Sequence, residues 1–114
     1  MSTDVRNFSI VAAPVALQAG DADEIFHISG EMPDGFWLHP ALRVVVQREG
    51  SELVAEQPES HVHAFGESVT EAILSLRQSL VEHYQFLLGM GDKLAPRLAR
   101  ERDTLGTVLT HRDG

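Results

Sequence analysis

His61 and His63 have the spacing in this sequence that is most typical of a metal site. In a β-strand, side chains two residues apart point to the same face, so both imidazoles can bind one ion. A third ligand would have to come from Glu59, Glu67, His27 or His39. No further motif supports such a ligand. His61 and His63 are therefore weak metal candidates, a solvent-facing strand edge is the preferred interpretation, and we predict no cofactor.

His83 is the candidate for acid–base catalysis, because imidazole titrates near neutral pH. It lies beside the packed face of a predicted helix, and no Ser or Cys nucleophile motif accompanies it. Asp21, Asp23 and Glu24 cluster in a turn, but the ligand spacing of a calcium loop does not continue beyond them. The motifs GxxxxGKS/T, GxGxxG and GxSxG are absent. The sequence therefore predicts a structural role for His83, no catalytic residues and no enzyme activity.

Phe36 and Trp37 are the strongest candidates for contact with a partner, because exposed aromatic side chains often anchor protein interfaces. The surrounding segment, Gly30–Pro40, is rich in Gly and Pro, which predicts an irregular loop. Adjacent large apolar side chains in a loop either form a contact surface or fold back under the sheet. The sequence leaves both possibilities open.

The composition predicts one folded, acidic domain. A chain of 114 residues with 43% hydrophobic and 23% charged residues is expected to form a single domain, 1–114, with a buried core. Its ends, 1–6 and 110–114, are expected to be frayed. The net charge of -8 argues against nucleic-acid binding, which requires clustered Lys and Arg. It suits a basic protein partner, or serves solubility alone. The absence of cysteine excludes disulfides, thiolate nucleophiles and Cys-ligated zinc.

The segment Ile10–Leu17 is the candidate for an export signal. Pro14 interrupts it and Asp4 precedes it, so we interpret it as a strand. No apolar run approaches the roughly 20 residues that span a membrane. The sequence therefore predicts a cytoplasmic protein without membrane association.

Alternating and β-branched residues predict a small sheet ahead of a long helix. A Gly-containing turn at 48–51 predicts a hairpin, and Ser68 with Glu71 forms a capping box at the start of a helix that runs to Leu88. A shorter helix is expected from Ala95 towards Leu109, with its charged run RLARERD as a solvated face. The predicted strands are Phe8–Leu17, Glu24–Ser29, Leu42–Gln47, Glu52–Gln57 and Ser60–Phe65.

These elements predict an α+β fold. Four or five mostly antiparallel strands are expected to form a small sheet, with the long helix packed on one face and the shorter C-terminal helix after it. The apolar residues of the long helix recur at helical spacing and are expected to face the sheet. They are Ile73, Leu76, Leu80, Tyr84 and Leu87.

Part of the chain resembles HicB-like antitoxin domains. The resemblance is carried by the order hairpin, P-E-x-x-x-x-A-F-G-E-S-x-T-E-A-I and then L-V-E-H-Y on a long helix, and it covers roughly residues 43–109. The matching residues are Pro58, Glu59, Gly66, Ser68, Thr70, Glu71, Ala72, Leu80, Val81, Glu82 and Tyr84. Residues 1–42 precede the matching hairpin, and a separate operator-binding module is not evident.

The resemblance implies a β-rich face with helices on the other side, a partial ribonuclease-H-like fold without catalytic residues. It also implies a small, basic, RNA-cleaving toxin as partner. We therefore hypothesise a non-enzymatic, acidic protein-binding module that occludes such a partner, with Phe36, Trp37, Glu59 and Glu67 as the partner-binding residues. Two alternatives remain: a self-associating structural subunit, most simply a homodimer, and a small metal-binding protein that uses His61 and His63.

Overall fold

One antiparallel sheet carries the fold, and most of its strands lie in chain order. The computed structural model describes residues 7–12 and 24–111. The spatial order is β1-β2-β3-β4-β5, every pairing is antiparallel, and β6 pairs with β3. The strands are β1 (Phe8–Ala12), β2 (Glu24–Glu31), β3 (Phe36–Glu49), β4 (Glu52–Gln57), β5 (Val62–Gly66) and β6 (Leu109–His111).

Two helices cover one face of this sheet. Helix α1 (Val69–Met90) packs mainly on β5 and β4, and helix α2 (Pro96–Gly106) packs on α1 and β6. The predicted α+β fold is confirmed, and the described residues form six strands where four or five were expected. Short 3-10 turns occupy Pro33–Gly35 and Gly91–Lys93. No helix in the described part of the chain is long and apolar enough to cross a membrane.

The predicted cap of α1 is confirmed in its main contact. The Ser68 hydroxyl accepts a hydrogen bond from the backbone N–H of Glu71 at 3.1 Å, which satisfies one of the free donors at the helix start. The Glu71 carboxylate accepts from the N–H of Glu67, one residue before the donor predicted by the capping box. At the other end the helix stops at Gly91, which has a positive φ of 58° and whose N–H donates to the Leu88 carbonyl.

The irregular loop predicted for Gly30–Pro40 is confirmed only at 32–35 and was wrong on both sides of it. Strand β2 continues to Glu31, and β3 already begins at Phe36. Strand β3 includes Pro40, and the His39–Pro40 peptide bond within it is cis. Gly30 and Glu31 of β2 pair with the start of β3 on one edge, and β6, which the sequence did not predict, pairs with Phe36–Leu38 on the other. The shorter helix consequently ends at Gly106, and residues 110 and 111 lie in a strand instead of a frayed end.

The remaining predicted boundaries are close to the observed ones, and some predictions fall outside the described residues. Strand β4 matches its predicted range, and the turn between β3 and β4 contains Gly50 with φ of 64°. The predicted first strand is observed as β1 over Phe8–Ala12, while its continuation to Leu17 lies outside the described residues. The frayed ends predicted at 1–6 and 112–114 also lie outside them.

A glycine pair tests how tightly α1 lies on the sheet. A Cβ added at Gly66 would be 2.4 Å from the backbone nitrogen of Ala72, whereas one added at Gly89 meets no atom within 4 Å. We expect Gly66→Ala to lower the free energy of unfolding by about 1–3 kcal/mol, because α1 must move. Gly89→Ala is the matched control, expected to be neutral or to stabilise by up to about 1 kcal/mol. Urea denaturation measures both, and equal stability of the two variants would contradict the close contact.

Candidate protein-binding face

The sheet has a second face, which we call the open face because both helices lie on the opposite side. Strand alternation places on it at least one apolar residue from each of β1 to β5. Ile25 on β2 is opposite Val45 on β3, and Val54 on β4 is opposite Phe65 on β5. Together with Val11 on β1 these residues form a diagonal apolar stripe across the sheet.

Both ends of the apolar stripe are exposed. Val11 is 58% exposed and Phe65 is 45% exposed, whereas Val54 between them is buried. Single exposed apolar residues are normal on a protein surface. A row that continues through neighbouring strands and ends in an aromatic ring is more characteristic of an interaction surface.

A shallow depression of about 250 Å³ lies on the open face beside the aromatic end of the stripe. The Phe65 ring packs edge-on against the His63 ring, with centroids 5.9 Å apart. Carboxylates beside an aromatic ring form a favourable environment for a Lys or Arg side chain. The depression is lined by Gln47, Glu49, Val54, Glu56, His63 and Phe65.

The four residues predicted to contact a partner do not form one site. Phe36 is only 5% exposed and packs edge-on against Tyr84, so it follows the burial alternative that the sequence left open. Trp37 is half-buried in β3 and lines a separate depression. Glu59 and Glu67 are exposed, one beyond the end of β4 and the other just before α1.

Glu59 is already engaged within the chain. Its carboxylate accepts hydrogen bonds from Gln57 Nε2 at 2.6 Å and from Arg43 at 3.3 Å. Partial burial raises the pKa of Glu59, but the hydrogen bonds from Gln57 and Arg43 outweigh it and hold the pKa below the ordinary 4.5. Glu59 therefore enters any interface as an ionised, partly neutralised group.

His61 and His63 do not converge on one site. His63 lies in β5 on the open face, but His61 lies in the preceding turn with φ of 62°. This left-handed residue breaks the alternation that would have aligned the two imidazoles, and the His61 ring contacts Glu101 of α2 instead. Within 7–12 and 24–111, no group of three His, Asp or Glu residues is arranged to hold a metal ion.

A buried polar pair positions the turn that carries His61. The Gln57 side-chain oxygen accepts from Ser60 N at 2.9 Å and from Ser60 Oγ at 2.7 Å, and both residues are buried. The His61 N–H donates to the Gln57 carbonyl at 3.0 Å, which closes the turn. The local hydrogen bonds thus hold His61 in a conformation that non-glycine residues rarely adopt.

Glu101 joins the turn, α1 and α2 in one polar cluster. His61 Nδ1 lies 3.1 Å from Glu101 Oε2, and His83 Nε2 lies 3.0 Å from Glu101 Oε1. The Glu101 side chain is only 5% exposed. Burial raises the pKa of Glu101, but the hydrogen bonds from His83 and His61 outweigh burial and hold the pKa below the ordinary 4.5. Each oxygen of the Glu101 carboxylate therefore has a partner, and the carboxylate remains ionised near neutral pH.

Two residues central to these sites, Glu101 in the polar cluster and Phe65 on the open face, were not predicted from the sequence. The solvated face predicted for RLARERD was wrong at Glu101, which is buried. The signal was its spacing, since Leu98, Glu101 and Leu105 lie on one side of a helix at i, i+3 and i+7. Phe65 was missed although it alternates with Ala64, whose burial on the helical side places Phe65 on the open face.

Replacement of Glu101 tests the cluster through its pH dependence. The pKa of Glu101 is lowered on folding, so its contribution to stability is complete above about 4.5 and is lost as the pH falls through the lowered folded-state pKa. We expect Glu101→Gln to cost about 1–3 kcal/mol at pH 7, because a buried charge-assisted contact is lost. The difference from wild type should shrink below pH 4.5.

The measurement is urea denaturation at a series of pH values, with Glu82→Gln on the exposed side of α1 as the control. The control should follow wild type at every pH, because Glu82 lies outside the cluster. A Glu101→Gln penalty that does not change between pH 7 and strongly acidic pH would contradict the ionised cluster.

Comparison of the chain with known proteins adds no family to this description. No protein-family model matches the sequence, and neither the curated proteins nor the solved structures searched contain a match. The HicB-like resemblance therefore remains a prediction that rests on the Pro58–Tyr84 motif.

Proposed function

We propose that this chain is a non-catalytic module that binds a basic protein through the open face. The proposal rests on one observation: the apolar stripe ends at exposed Phe65, directly beside a depression lined by Glu49 and Glu56. In the bound state, the Phe65 ring contacts apolar side chains of the partner. The carboxylates pair with its Lys and Arg side chains.

The two parts of this face have different energetic roles. Desolvation of a central aromatic residue supplies much of the affinity of a typical interface. Rim carboxylates contribute mainly to the association rate and to partner choice, and their effect is screened by salt. The net charge of -8 extends this attraction beyond the contact surface.

Binding is favoured over catalysis by what lines the two depressions. Among the described residues, those that line the open-face depression and the Trp37 depression include no Ser, Thr or Cys nucleophile. The histidines that contact Glu101 lie on the helical side, away from both depressions. The metal-binding alternative loses its geometric basis, because His61 and His63 do not face one point.

The HicB-like resemblance gives the proposal its most specific form. In this form the partner is a small basic RNA-cleaving toxin, and the open face covers its active surface. The contact residues then differ from those first predicted, with Phe65, Glu49 and Glu56 replacing Phe36 and Trp37. Occlusion requires no catalytic residue on this chain.

Affinity capture from the natural host tests the proposal, with four baits: wild type, Phe65→Ala and two single charge reversals, Glu49→Lys and Glu56→Lys. We expect wild type to retain a basic protein at low salt and to release it at high salt. Phe65→Ala should weaken binding of that protein about ten-fold or more, since truncation of an interface anchor typically costs about 2 kcal/mol or more. Calorimetry with the recovered protein measures the affinity.

Glu82→Lys provides the matched charge reversal on the helical side of the domain. It should retain the partner, whereas the Glu49 and Glu56 reversals should lose it. Equal loss from both would indicate dependence on net charge alone and contradict a specific face. Retention by Phe65→Ala and by the open-face reversals would place the contact elsewhere.

A further inference from the structure

Strand β5 forms an edge of the described sheet. It pairs with β4, and no other strand among the described residues pairs with it. The direction of its peptide groups follows from the β3–β4 hairpin, where Glu49 is opposite Glu52 across a two-residue turn. Residues that close such a hairpin exchange backbone hydrogen bonds, and the bonding direction then alternates along each strand.

This alternation identifies the free peptide groups of β5. Leu53, Ala55 and Gln57 of β4 direct their N–H and C=O groups towards β5, where they are opposite Gly66, Ala64 and Val62. The peptide groups of His63 and Phe65 therefore point away from the sheet. The side chains alternate independently of the peptide groups: Val62, Ala64 and Gly66 are buried on the helical side, while His63 and Phe65 are exposed on the open face.

Three features that protect edge strands against pairing are absent from β5 itself. Native edge strands are commonly protected by charged residues, proline or a bulge. The sequence of β5 is Val-His-Ala-Phe-Gly, and its register with β4 is unbroken. The outer edge at β1 gives no comparable argument, because β1 is flanked by 1–6 and 13–23, which lie outside the described residues.

We propose that β5 pairs with β5 of a second copy of this chain, antiparallel about a two-fold axis at Ala64. In this register His63 lies opposite Phe65 of the partner subunit, and each such pair exchanges two N–H···O bonds. The outward groups are spaced symmetrically around Ala64, so the edge is complementary to itself, as a two-fold interface requires. Ala64 carries a small side chain where the two strands approach most closely.

The side chains of the paired strands favour the same arrangement. His63 and Phe65 both project on the open face, where their rings already form an edge-on pair within one copy. Across the two-fold axis, each ring gains an aromatic cross-strand neighbour, a type of contact that stabilises antiparallel pairs. The two sheets become continuous and the apolar stripes of both copies meet at their Phe65 ends.

Sedimentation velocity over a concentration series tests this pairing with the full chain. Wild type should form a dimer as concentration rises. The variant His63→Glu with Phe65→Glu should sediment as a monomer, because like charges then face each other, and so should His63→Lys with Phe65→Lys. An equimolar mixture of the two variants should restore the dimer, because every pair across the axis becomes opposite in charge.

Two controls separate this interface from other contacts. Val11→Lys at the far end of the stripe and Glu56→Lys on the open face should both leave the dimer intact. Circular dichroism checks that all variants fold. A monomeric wild type, charge variants that remain dimeric alone, or a mixture that stays monomeric would each overturn the proposal. The readout is independent of the basic partner, so failure of either proposal leaves the other testable.

Discussion

Contact between α1 and β5 at Gly66 determines how the helical layer lies on the sheet. The backbone of Ala72 occupies the space that a side chain at residue 66 would need, so the first turn of α1 rests directly on the strand. From this point the buried residues Ile73, Leu76 and Leu80 carry the helix across the sheet. Because the helices cover one face only, strand alternation decides which side chains remain on the other.

The parts of the fold that were predictable depend on local signals. Ser68 caps α1 through a residue three positions away, and the apolar stripe of α1 repeats within single turns. Pairing of Phe36–Leu38 with β6 joins segments that are distant in the sequence. The Gly and Pro residues around Phe36 indicated a loop, and three residues of β6 are too few for a recognisable alternation.

The candidate sites show the same limit at the level of single residues. Burial of Val62 and Ala64 places Phe65 on the open face, which alternation alone could have predicted. The left-handed turn at His61 was not predictable, since it depends on the hydrogen bonds between Gln57 and Ser60. Glu101 shares a helical row with two leucines, and only a partner from another element makes burial of its charge tolerable.

The length of β3 has a consequence for the order in which the domain loosens. Strand β2 lines one edge of β3, while β4 and β6 share the other, with β4 beside Val45–Glu49 and β6 beside Phe36–Leu38. Helix α2 and β6 are joined to the rest by the pairing of β6 with β3, by Glu101 and by the buried side chains of Leu105, Val108 and Leu109. We infer that this segment opens locally before the centre of the sheet, so that its amides are expected to exchange with solvent ahead of those in β3 and β4. When α2 and β6 open, the first residues of β3 lose their pairing with β6 and become an exposed strand edge, so β6 protects this edge of β3 in the closed state.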